Sequence, residues 1–97
     1  MKTLLVIDDS VSFLDDVEST LTKRYRIIKS TSGEKGIEIL KAEHVSAVLL
    51  DPRLPDMSGL ELLKKIREGI DPHLPVIYPR QVSCGAQLQP HKADVNP

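Results

Sequence analysis

Three aspartates stand where short apolar runs end, and their placement suggests phosphoryl chemistry. Asp51 closes Val48-Leu49-Leu50, and Asp8-Asp9 close Leu4-Leu5-Val6-Ile7. Uninterrupted apolar runs of this length suit strands covered on both faces of a parallel sheet. Such a sheet points its strand C-termini to one edge, and ligands sit there at the topological switch point. If the two strands are neighbours, three carboxylates converge in one crevice. Carboxylates packed together repel one another unless a cation offsets their charge. A hard divalent ion such as Mg²⁺ suits oxygen donors of this kind. It also neutralises charge on an incoming phosphoryl group. A carboxylate beside it then has the character of a nucleophile that forms an acyl phosphate.

The elements that must position these residues can be read in chain order. After Asp8-Asp9, either Asp9 or Ser10 is suited to cap a helix. Val11, Leu14, Val17 and Leu21 then recur at helical spacing, and Lys23-Arg24 close the segment. Tyr25 to Lys29 reads as a second strand, less apolar and so nearer an edge. Ser30-Thr31-Ser32-Gly33 reads as a turn and cap before a helix carrying Ile37, Ile39, Leu40 and Ala42 and ending at His44. Val45 to Leu50 is the third strand. A third helix carries Leu60, Leu62, Leu63 and Ile66, with Gly69 just past its end. Leu74 to Ile77 is a fourth strand, with Pro75 near its start. The alternation β-α-β-α-β-α-β predicts an α/β fold, a parallel sheet with right-handed crossovers.

Composition bounds the function. Ninety-seven residues make one domain, with 40% apolar and 28% charged residues. With only 3% aromatics, the core must be aliphatic. A net charge of −1 gives no electrostatic basis for binding nucleic acid or an anionic membrane. The lone Cys84 excludes an internal disulfide and a cysteine-based metal cage. His44 has no Cys or His close in sequence and reads as a helix-end residue rather than a ligand. Only four apolar residues, Leu4 to Ile7, precede the first aspartates, too few for a signal-peptide core or a membrane span. The expected location is cytoplasmic.

Over Lys2 to Ile77 the chain resembles the receiver domain of two-component response regulators. The resemblance rests on LLVIDDS, on Gly33-Glu34 before the second helix, on LLDPRLPDMSGLELLKKIRE, and on LPVI. It implies a flavodoxin-like doubly wound sheet of strand order 2-1-3-4-5. It implies that Asp51 is the phosphoacceptor and takes part in Mg²⁺ binding. Asp9 is implied as a direct Mg²⁺ ligand, Asp8 as a ligand through water, and the Arg53 backbone carbonyl as a further ligand. Pro55 and Gly59 shape the loop into the third helix, and Met57 reads as a core or loop-packing residue rather than a chemical one. The implied partner is a sensor histidine kinase or phosphotransfer protein, and the implied role is a phosphoaccepting signalling domain rather than an enzyme. With one domain's length, it is expected to stand alone without an output domain.

The pattern breaks after Ile77. Where the family places Thr or Ser after the fourth strand, this chain has Pro79-Arg80, and Ser83 stands out of register. Lys92, the only lysine in the tail, is followed by Ala93 rather than the family's Pro. Residues 78–97 contain three prolines and no apolar periodicity, and are expected to form an irregular or disordered tail. The domain is thus expected to span residues 1–77 and to lack the usual last helix-strand-helix. That loss would expose the fourth strand's edge, favouring a homodimer by edge pairing or element exchange. The alternative function is a degenerate, non-switching receiver acting as an interaction or dimerisation module. An aspartyl phosphohydrolase ranks low, because Arg53 stands where those enzymes place a second acid. A phosphate loop at Gly33-Glu34-Lys35-Gly36 ranks lower still, since it lacks the long Gly-rich spacing and terminal Lys-Ser/Thr.

Overall fold

A computed structural model describes residues 1–78. The expectations for Arg80, Ser83, Cys84, Lys92 and the remainder of the tail lie outside the described residues. The elements are β1 (Lys2–Ile7), α1 (Val11–Leu21), β2 (Tyr25–Ser30), α2 (Gly33–Ala42), β3 (Ala47–Leu50), α3 (Gly59–Gly69) and β4 (Val76–Ile77). The strands form one parallel sheet of order β2-β1-β3-β4. This is the flavodoxin-like receiver fold over the described residues. No described helix is long and apolar enough to cross a membrane.

The most continuously apolar run, Leu4 to Ile7, lies inside the sheet. It pairs with β2 through Leu4↔Ile27 and Ile7↔Ser30, and with β3 through Leu4↔Ala47 and Ile7↔Leu50. The less apolar β2 takes the edge, as its composition predicts. Alternation along β1 puts Leu5 and Ile7 on one face, where they join a buried cluster with Val48, Leu50, Leu40, Leu62, Ile66 and Val76. Val6 turns to the other face beside Lys29, its partner in register. The Lys29 ammonium reaches Glu18 at 2.8 Å and Asp15 at 3.2 Å, both on α1. Helix α1 therefore covers the face that Val6 occupies. The chain steps from β1 to β2, then reverses past β1 to β3 and β4. Right-handed crossovers accordingly place α1 on one face and α2 and α3 on the other. The reversal leaves a crevice between the C-terminal ends of β1 and β3.

Serines open all three described helices, each accepting an N–H of the first turn: Ser10 from Phe13, Ser32 from Lys35 and Ser58 from Glu61. Some boundaries differ from those the sequence suggests. Helix α1 stops at Leu21 with Thr22 as its cap, so Lys23 and Arg24 lie beyond it. Helix α2 stops at Ala42, which leaves His44 exposed beyond the cap residue. Helix α3 includes Gly69 and is capped by Ile70. Strand β3 begins at Ala47 rather than Val45, although Val45 is buried. Strand β4 keeps only Val76 and Ile77; Pro75 lacks an N–H and contributes its carbonyl to Val48 N–H at 2.9 Å. Val11, predicted on the buried stripe of α1, is 60% exposed, and Leu14 alone on that helix is buried.

Arg67, in the last turn of α3, ties that helix to the approach of β4. Its guanidinium donates to the Leu74 carbonyl at 2.6 Å and, at 3.4 Å, to that of Asp71. Hydrogen bonds involving a charged partner stabilise more than neutral ones, so Arg67→Ala is expected to cost about 1–2 kcal/mol. Arg67→Lys should recover only part of that loss, because an ammonium lacks the planar fork. Urea unfolding midpoints of the two variants check both statements; an unchanged midpoint for Arg67→Ala would sink the assignment.

Candidate functional site

The crevice between β1 and β3 is built by backbone continuity. Asp51 N–H donates to the Ile7 carbonyl at 2.9 Å, and Asp8 N–H to the Ser30 carbonyl at 3.0 Å. Each strand thus extends its pairing by one residue into an aspartate. Asp8 and Asp51 are buried, at 1% and 8% exposure, and Asp9 is exposed. One carboxylate oxygen of each of Asp8, Asp9 and Asp51 lies within 4.8 Å of the others. The convergence expected from the strand ends is therefore present.

Local hydrogen bonds orient these groups. Asp8 Oδ1 accepts the N–H of Ser10 at 2.8 Å, which turns the chain from β1 into α1. Asp51 Oδ1 accepts the N–H of Arg53 at 3.0 Å, which sets the Arg53 backbone beside the Asp51 carboxylate. Oxygen donors clustered this closely suit a hard cation such as Mg²⁺, and the set contains no soft sulfur or imidazole ligand. His44 is not a member of the set.

The loop from Pro52 to Ser58 closes on itself. Gly59 N–H donates to the Pro52 carbonyl at 2.8 Å, and Arg53 and Ser58 form an antiparallel bridge. Gly59 is required by proximity: a β-carbon there would sit 2.7 Å from Pro52 Cα. The loop tip then docks on α2. Met57 lies over Gly33, where a β-carbon would come within 2.7 Å of its Cγ. Met57 also packs against the buried cluster, so the core or loop-packing role expected for it is present.

Asp56 is the residue that sequence reasoning missed. Its Oδ1 accepts the N–H of Gly33 and its Oδ2 that of Glu34, both at 2.9 Å. The start of α2, considered above as a weak phosphate loop, is therefore a helix N-terminus occupied by an internal carboxylate. The Gly33 N–H, then the Glu34 N–H, hold the Asp56 pKa below its usual 3.8. A carboxylate depressed by folding adds stability above its unfolded pKa, and that contribution fades as pH falls through the lower folded value. Asp56→Asn should therefore lose stability at neutral pH and show a smaller difference from the native chain well below pH 3.8. Urea midpoints at the two pH values test this; a difference independent of pH would contradict it.

Comparison with known proteins agrees with this geometry. The family described as response regulator receiver domain matches residues 4–80. The chain is 35% identical over 66 residues to the hydrogenase transcriptional regulatory protein HoxA of Cupriavidus necator, covering 68% of this chain and 14% of that protein. It is 36% identical over 77 residues to a probable cyclic di-GMP phosphodiesterase of Vibrio cholerae, covering 78% of this chain and 18% of that protein. The chain thus spans less than a fifth of either relative. Among solved structures, the N-terminal domain of a response regulator receiver protein from Methanoculleus marisnigri superposes with a TM-score of 0.74 at 31% identity. That match covers 86% of this chain and 75% of the other. A CheY-like receiver domain protein from Methanospirillum hungatei gives 0.74 at 28% identity, over 78% and 61%. Sheet order, the match over residues 4–80 and these likenesses establish that the chain belongs to the response regulator receiver domain family of two-component systems.

Proposed function

We propose that this chain accepts a phosphoryl group on Asp51 from a phosphohistidine of a sensor histidine kinase or phosphotransfer protein. The observation that carries the reading is the convergence of Asp8, Asp9 and Asp51 oxygens at the end of β3, with Asp51 at 8% exposure and oriented by Arg53 N–H. A carboxylate oxygen of Asp51 attacks phosphorus, the phosphorus–nitrogen bond breaks, and the histidine keeps the bonding electrons and takes up a proton. The product is an acyl phosphate on Asp51. Asp9 and Asp51 would hold Mg²⁺ directly, Asp8 through water, and the Arg53 carbonyl would complete the protein's share. When bound, the ion offsets charge on the carboxylates and on the phosphoryl oxygens. Burial of Asp8 and Asp51 excludes bulk water from the inner side of the crevice. The chain's work is thus to accept and hold a phosphoryl group rather than to turn over a substrate, and the reading carries with it a cytoplasmic location.

The test is incubation with a small phosphodonor and Mg²⁺, followed by intact mass measurement. A gain of one phosphoryl group, mapped to Asp51, is expected. Absence of any gain would sink the reading.

A second reading is favoured by one observation, Pro79-Arg80 where receivers place Thr or Ser after the fourth strand. On that reading the fold acts by contact or homodimerisation without switching. Mg²⁺ binding with no phosphoryl uptake, together with a dimer by light scattering, would favour it over the first.

A further inference from the structure

The β3–α3 loop is closed locally by bonds among Asp51, Pro52, Arg53, Ser58 and Gly59. Those bonds fix the loop's shape but leave open where its tip sits on the fold. The tip is located by Asp56 and Met57, which meet the first turn of α2. Helix α2 is in turn seated on β1: a β-carbon at Gly36 would lie 2.5 Å from Ile7 Cδ1. Ile7 directly precedes Asp8. A continuous path of contacts therefore runs from the Asp51 loop through Asp56, Gly33 and Gly36 to the strand bearing Asp8 and Asp9. It joins the two halves of the acidic crevice.

The bond at Asp56 is specific in chemistry. Both carboxylate oxygens are used, each by a separate backbone N–H. An asparagine offers one acceptor and turns an NH₂ donor toward the other N–H. An alanine offers neither. Ser32 Oγ accepts only the N–H of Lys35, so Asp56 serves two first-turn N–H groups that Ser32 leaves over, and it does so from another element, which ties the loop to α2.

We infer that Asp56 is a positioning residue for the cation site, holding the β3–α3 loop against α2 so that Asp51 and the Arg53 carbonyl face Asp8 and Asp9. Asp56 acts through the loop and does not touch the ion. The inference rests on the reading of the three aspartates as a Mg²⁺ site.

The experiment compares Asp56→Ala, Asp56→Asn and Ser32→Ala with the native chain. Ser32→Ala weakens the same helix end without touching the loop. Mg²⁺ affinity is read by calorimetry, melting temperature without metal, and hydrogen exchange at the Arg53 and Gly59 amides without metal. Asp56→Ala and Ser32→Ala should both lower the melting temperature. Asp56→Ala alone should speed exchange at Arg53 and Gly59 and weaken Mg²⁺ binding, by about 10-fold as for loss of an outer supporting group. Asp56→Asn should fall between. If Asp56→Ala does not fold, the Asp56→Asn comparison and its exchange rates decide.

Unchanged affinity in the Asp56 variants, with Mg²⁺ binding and phosphoryl uptake intact in the native chain, would overturn this inference alone. Equal weakening by Ser32→Ala would overturn it too, by showing a general effect of helix loss. A native chain that binds no Mg²⁺ would overturn both the cation site and the inference built on it.

Discussion

Asp51→Asn is expected to abolish phosphoryl uptake from a small phosphodonor in Mg²⁺. The substitution is nearly isosteric and keeps an oxygen able to accept the Arg53 N–H at the position of Oδ1. It removes the charged nucleophile, and an amide oxygen does not form a stable acyl phosphate under the same conditions. It also removes one of three carboxylates lying within 4.8 Å, so Mg²⁺ affinity should fall by at least about 10-fold. The effect on the metal-free fold runs the other way. Asp51 is buried beside two other acids, and loss of one negative charge relieves repulsion among them. Metal-free Asp51→Asn should therefore melt no lower than the native chain. Added Mg²⁺ should raise the native melting temperature by mass action and raise that of Asp51→Asn much less. Asp16→Asn, an exposed change on α1 outside the cluster, serves as control and should behave as native. A variant that still gains a phosphoryl group would move the acceptor away from Asp51. One that melts far below native would show that Asp51 is structural.

The acidic crevice was legible because each part of it is a local pattern. A buried strand announces itself by four or so consecutive apolar residues, and Asp8, Asp9 and Asp51 are simply the next residues in line. The rule for parallel sheets then brings the strand ends together without any knowledge of side-chain contacts. Ser32 and Ser58 are legible for a similar reason, since capping acts within one turn. Contacts between distant residues leave no such trace. Asp56 meets Gly33 across 23 positions, and nothing near Asp56 marks it as other than a polar loop residue. Arg67 is a comparable case, because its carbonyl partners appear only once α3 and β4 are placed. Gly36 entered the sequence reading only as the end of a weak phosphate-loop candidate, whereas its lack of a β-carbon is what lets α2 approach Ile7. Val11 failed in the opposite sense. Its spacing with Leu14 puts it on the apolar stripe, yet it opens α1 just past the end of β1, where little sheet remains to cover it.

That contrast between periodicity and position leads to the largest stability effect expected here. Leu50 directly precedes Asp51, is fully buried, and lies in the cluster with Leu62 and Ile66 of α3. Leu50→Ala removes methyl and methylene groups from a closed core and leaves a cavity that helices on a fixed sheet refill only in part. The expected loss is about 2–5 kcal/mol. A small domain is stable by roughly 5–15 kcal/mol in all, so this is a large share of the total. Leu50→Met keeps most of the volume and should cost less than about 1.5 kcal/mol. Val11→Ala, at 60% exposure, should stay within about 0.5 kcal/mol although sequence spacing treats Val11 and Leu14 alike. Urea unfolding followed by circular dichroism gives all three values. A small loss for Leu50→Ala would mean that the region around β3 is loosely packed. The pre-set arrangement of Asp51 would then lose its physical basis, because the side chain next to it in sequence is what anchors the strand end. Leu50→Met should retain phosphoryl uptake at temperatures where it stays folded, separating the need for a filled core from any special demand for leucine.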